Sequence, residues 1–125
     1  MDHLQRLQKF RAASSFLGEL WPEADQPSSW KGVKLNESGQ MTVLKLQGGL
    51  TEPCLIPELP SELGQLNGLN TMELSWCKKL RSLPATIGQL SALTTLSCTS
   101  CFFLEAVPPE IGQLNSLSTL DLTNC

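Results

Sequence analysis

A chain of 125 residues with 41% hydrophobic and 17% charged residues has the composition of a folded globular protein, large enough to bury one core. A net charge of −3, with nine Lys and Arg in no long run, argues against a dedicated nucleic-acid or polyanion surface. No apolar run approaches the roughly 18–20 residues of a membrane span. The opening MDHLQRLQKFRAASSF is polar and amphipathic where a secretory signal is continuously apolar, so a cytoplasmic chain is expected.

The first element in chain order is a helix. Leu4, Leu7, Phe10, Leu17 and Leu20 fall near one face of a helix from about Asp2 to Leu20, with Arg6, Lys9 and Arg11 off that face. Asp2 suits the positive end of the helix dipole, and Trp21-Pro22 should end the element. A turn-rich connector, PEADQPSS, follows. Beyond it MTVLKL, from Met41, has the alternation of a strand.

From Gly64 the chain repeats. GQLNGLNTMELSWCKKLRSLPATI (Gly64 to Ile87), GQLSALTTLSCTSCFFLEAVPPEI (Gly88 to Ile111) and GQLNSLSTLDLTNC (Gly112 to Cys125) align without an internal gap. The two complete copies are 24 residues long, and a looser copy from Met41 to Leu63 carries four extra residues around Leu50 to Cys54. TMELS, TTLSC and STLDL alternate with period two, which turns Met72/Leu74, Leu96/Cys98 and Leu120/Leu122 to one side. Pro60, Pro84 and Pro108 can each open a helical turn, and Gly64, Gly88 and Gly112 are expected at its exit.

The recurring L-x-x-L-x-x-L-x-L-x-x-C and L-x-x-[LV]-P-x-x-I resemble the leucine-rich repeat family, over roughly Gly39 to Cys125. The LP-x-x-IG-x-L signature is similar to plant-type and intracellular Ras-group-like repeats. The resemblance implies an α/β solenoid with short parallel strands on a concave face. SSWKGVKL further resembles the N-terminal cap of plant receptor-like proteins, C-x-W-x-G-V-x-C, with Trp30, Gly32 and Val33 in place. Residues 1–38 are then a helical cap and connector, and 39–125 about four repeats, the last incomplete. The two cap cysteines of the pattern fall on Ser28 and Leu35, so that disulfide cannot form. Its loss agrees with a cytoplasmic expectation.

Five cysteines include a Cys-x-x-Cys pair, Cys98 and Cys101, open to a structural or a thiol-redox reading. The repeat favours structure. Cys98 shares a column with Leu74 and Leu122, and Cys101 one with Cys77 and Cys125, where the family uses Asn or Cys to bond the neighbouring turn. A zinc site lacks partners, because the single His3 is distant in sequence. No phosphate loop, nucleophile elbow or ligand cluster appears, so neither enzyme activity nor a cofactor is expected.

What remains is the outward face. Its columns read Val43, Thr71, Thr95, Thr119; then Lys45, Glu73, Ser97, Asp121; then Gln47, Ser75, Thr99, Thr123. Trp76, Phe102 and Phe103 interrupt this polar field, and large exposed rings are typical contact anchors. The expected function is a non-enzymatic interaction module or scaffold, binding a protein partner through Thr71, Thr95, Thr119, Glu73, Asp121 and the three aromatics. The alternative is an ectodomain fragment of a receptor-like kinase. Because solenoids usually need a polar terminal repeat, self-association through the C-terminal repeat is also expected.

Overall fold

A computed structural model describes residues 2–22, 26–49 and 54–125. The extra residues at 50–53 and the middle of the PEADQPSS connector lie outside the described residues.

The chain opens with two helices rather than one: α1 (His3–Ala12) and α2 (Ser15–Leu20). Asp2 accepts the Gln5 N–H at 2.8 Å while the Gln5 side chain accepts the Asp2 N–H at 3.0 Å, a reciprocal cap that starts α1. Ser14 breaks the run. Its backbone is extended (φ −135°, ψ 121°) and its hydroxyl accepts the Leu17 N–H, so the serine starts a second helix instead of continuing the first. The break redirects the apolar face. Leu7, Phe10 and Leu17 are buried, but Leu4, expected on that face, is 47% exposed. Arg11 ties the helices together by donating to the carbonyls of Gly18 and Trp21.

A hairpin follows, β1 (Val33–Leu35) against β2 (Met41–Gln47). The Asn36 carboxamide accepts the Ser38 and Gln40 N–H groups at 2.9 and 3.0 Å, and Gly39 turns the chain at φ +83°. Ahead of it Gly32, at φ +82°, lies so close to the Lys45 carbonyl that a Cβ would stand 2.1 Å from the oxygen. Only glycine fits there.

β3 (Thr71–Ser75), β4 (Thr95–Thr99) and β5 (Thr119–Asp121) add to β2 in sequence order, each parallel to the last. The register carries the 24-residue period from β3 to β5, with a first step of 28 from β2: Val43, Thr71, Thr95 and Thr119 form one row, and Lys45, Glu73, Ser97 and Asp121 another. Between strands the chain returns through short 3-10 turns at Ser61–Gln65, Ala85–Gln89 and Pro109–Gln113. Pro60, Pro84 and Pro108 cap them in extended conformation, as the Pro columns predicted. The glycines do not mark the exits. Gly64, Gly88 and Gly112 lie inside the turns, where the next turn packs directly on the first two.

The result is a mixed α/β molecule with one five-stranded sheet. Among the described residues, one apolar cluster runs from Leu7 through Met72, Leu74, Leu96 and Cys98 to Leu114. Among the described residues no helix is long and apolar enough to cross a membrane.

Candidate binding surface

Alternation divides each strand cleanly. Met72, Leu74, Leu96 and Cys98 are 0% exposed, while Thr71, Glu73, Thr95 and Ser97 between them are half-buried on the opposite side. Thr119, on the outermost strand, is exposed. The rows are bound together from behind by hydroxyls at the strand entrances: Thr94 donates to the Asn70 carbonyl at 3.0 Å, and Ser118 to the Thr94 carbonyl at 3.2 Å.

The charged row is not free in the way its spacing suggests. Glu73 stands 3.6 Å from the Lys45 ammonium of the preceding strand, a contact that sequence columns contained but did not pair. Asp121 lies two strands away from Glu73, with Ser97 between. Its carboxylate accepts the Thr123 hydroxyl and, at 3.0 Å, the Thr123 N–H, which hold it below the usual carboxylate range.

Where the strands leave the sheet, Trp76, Ser100 and Asn124 share a left-handed conformation, with φ of 56°, 56° and 60°. Asn tolerates that region, whereas a bulky aromatic there is an outlier. Trp76 is half-buried rather than fully exposed, because Phe102 of the following repeat meets it edge to face, with ring centroids 5.5 Å apart at 77°. Phe102 nevertheless remains 49% exposed, and Phe103 59%. The structure therefore brings Trp76 and Phe102 together and leaves Phe103 beside them. Of the residues that take the left-handed turn, Asn124 is of a type that favours it, but Trp76 and Ser100 are not, so the sequence did not mark the turn at Trp76.

The cysteines line the inside of the same turns. Cys77 and Cys101 direct their thiols to the Leu46 and Leu74 carbonyls of the preceding repeat at 3.8 Å, and Cys125 reaches the Cys98 carbonyl at 2.6 Å. Burial, reinforced by the neighbouring sulfurs, pushes the Cys98 thiol up to about 12. The neighbouring Cys101 and Cys54 sulfurs likewise raise Cys77, while Cys77 in turn lowers those two. Cys98 and Cys101 are both fully buried, so neither member of the Cys-x-x-Cys pair presents the accessible sulfur that thiol exchange requires.

No family model and no curated protein matches this chain. Solved structures do. A plant ice-binding protein superposes with a TM-score of 0.77 at 25% identity over 97% of this chain, which spans 39% of that protein's length. One chain of the BIR3–SERK2 complex from Arabidopsis thaliana gives 0.62 at 21% identity, covering 98% of this chain and 81% of that one. The BIR2 ectodomain from the same plant gives 0.50 at 15%, covering 94% and 77%. With the 24-residue register, these similarities define a leucine-rich-repeat-like fold.

The cytoplasmic expectation is overturned by them, since structures of this shape include plant receptor ectodomains. The sequence argument failed at the missing staple. In this segment Trp30, the tryptophan of the cap pattern itself, stacks on Trp21, with centroids 4.8 Å apart and planes within 3°, and the Trp21 indole donates to the Lys31 carbonyl at 2.9 Å. Aromatic packing thus holds that segment without a covalent link.

Proposed function

We propose that this chain is a non-enzymatic protein-interaction module: a short leucine-rich-repeat solenoid over residues 39–125, closed by a helical cap over residues 1–38. Its partner lies across the strand face, touching Thr71, Thr95, Thr119, Glu73 and Asp121, with Trp76, Phe102 and Phe103 at the margin. One observation carries the reading. Residues facing inward along β3 and β4 are completely buried while their neighbours form register-locked polar rows, so the outward face can vary without cost to the fold. The likeness to the BIR3–SERK2 structure supports binding by an ectodomain-type surface.

A second reading rests on a different feature of the same face. Thr71, Thr95 and Thr119, with Ser75 and Thr99 along the same strands, form a hydroxyl grid spaced about 4.8 Å between strands and about 13 Å, four residues, along them. A regular grid of that kind suits an ordered water lattice, and the plant ice-binding protein is the 25% identical neighbour. The Lys45–Glu73 pair interrupts the grid and favours the protein-partner reading.

One variant and one wild-type assay together separate the two. Thr95→Lys, at the centre of the face, should abolish capture of a protein partner and leave the circular dichroism unchanged. If the wild-type chain instead shapes growing ice crystals, and Thr95→Lys loses that effect, the ice reading replaces the first.

A further inference from the structure

We propose that Trp76, Phe102 and Phe103, together with Lys78 and Lys79, form a docking site for an acidic peptide segment of a partner protein, one that sets an apolar side chain between carboxylates. The inference rests on the interaction-module reading and gives its margin a specific chemistry.

The placement follows from two stacked turns. In one repeat Leu80 N–H bonds the Cys77 carbonyl at 3.3 Å; in the next Leu104 N–H bonds the Cys101 carbonyl at 3.1 Å. Backbone bonds bracket the pair on both sides, from Trp76 N–H to Thr99 at 3.1 Å and from Glu105 N–H to Arg81 at 2.8 Å. Lys78 and Lys79 therefore occupy, one repeat earlier, the positions of Phe102 and Phe103, about one strand spacing away.

Chemistry at this margin is uneven in a telling way. Arg81 and Glu105 on the same turns neutralise each other at 3.6 Å, and Lys45 is taken by Glu73. Among the described residues, Lys78 and Lys79 have no carboxylate within ion-pair distance. Two ammonium groups with no ion-pair partner among the described residues thus lie one repeat before the two most exposed phenylalanines, in a chain whose net charge is −3. Trp76 and Phe102 are held together by the edge-to-face contact, on a left-handed turn that Ser100 and Asn124 also adopt in the later repeats. An apolar side chain fits against the rings, and flanking carboxylates meet the lysines.

Trp76 also supplies the assay. Trp21 is 0% and Trp30 4% exposed, so among the three indoles Trp76 alone answers to a ligand at the surface. The probe is an acetylated, amidated pentapeptide with one central leucine between two pairs of glutamates, titrated into the folded 125-residue chain. Saturable change in indole emission is expected, weakened by salt. A Lys78→Gln/Lys79→Gln double variant should bind about tenfold more weakly, the loss of two exposed ion pairs of ordinary strength. Equal binding of a glutamine-for-glutamate peptide, unchanged binding by the double variant, or equal capture by phosphatidylserine vesicles would each overturn the proposal. The underlying reading fails separately, through Thr95→Lys, which leaves this margin untouched.

Discussion

Cys77, Cys101 and Cys125 recur at one position of successive repeats, and each thiol bonds a strand-end carbonyl of the repeat before it. A carbonyl buried at a turn is costly to leave unpaired, and a thiol is a small enough donor to reach it without opening the stack. Replacing Cys98 and Cys101 together by alanine should therefore cost about 1–3 kcal/mol, from a lost apolar filler and a lost turn bond. Chemical denaturation measures it. An unchanged melting temperature with loss of a disulfide-reductase activity would reverse the structural assignment. The raised Cys98 thiol adds a pH signature. Its folded value of about 12 lies above the ordinary 9.0, so its stabilising contribution is complete below about pH 9 and is lost as pH rises towards 12, where the unfolded chain has already released that proton. The alkaline decline in melting temperature should be shallower in Cys98→Ala, and the absence of tyrosine removes one competing titration from that window.

At the scale of the element, the 3-10 turns decide how closely repeats approach. A Cβ on Gly88 would stand 2.8 Å from the Glu110 carbonyl oxygen and 2.7 Å from the Gln113 amide oxygen of the following turn. At Gly112, in the equivalent place, it would meet nothing within 4 Å. Gly88→Ala should consequently destabilise by roughly 1–3 kcal/mol through a backbone clash. Gly112→Ala should be neutral or slightly stabilising, since it only restricts the unfolded chain. Thermal melts of the two single variants compare the same substitution with and without a neighbour. Equal effects would mean that the glycines serve turn conformation rather than packing. The periodicity showed these glycines as a column, but assigned them to turn exits. Their actual role depends on a contact 22 to 25 residues further along, which no local pattern contains. The Ser14 break in the first helix is the opposite case: a capping serine was visible in Ala13-Ser14-Ser15, and the helical period of the apolar residues masked it.

For the molecule as a whole, the sheet has two unlike edges. β1 closes the N-terminal side with an antiparallel, irregular strand, a blunted edge. On the other side β5 presents three residues with unpaired backbone groups, and Leu120 is 48% exposed where the equivalent Leu96 is 0%. Such an edge invites a second chain, and Asp121 is the charge nearest to discouraging it. The 125-residue chain should self-associate with rising concentration, more strongly as Asp121→Asn. Acid should act in the same direction. Because Thr123 holds the Asp121 carboxyl below its usual range, its charge persists until pH falls past that lowered value, and only then should association increase. Light scattering across concentration and pH reads this directly. A strictly monomeric chain at high concentration would show that the open edge is inert.

Repeat length, strand rows and the inward columns were all legible in the residues alone, because a constant 24-residue period forces residues at equal phase into the same environment. The same logic placed the cysteines as architecture and put Thr71, Thr95 and Thr119 in one row. Contacts between unlike phases were invisible to it. The Trp76–Phe102 edge contact joins positions 26 residues apart, and the Trp21–Trp30 stack lies outside the repeats altogether. These depend on side-chain reach and on a left-handed turn, which composition and period do not encode. The compartment went astray for a related reason: a missing disulfide is a feature of the residues, whereas the likeness to ectodomain structures that overturned the expectation is a property of the packed fold.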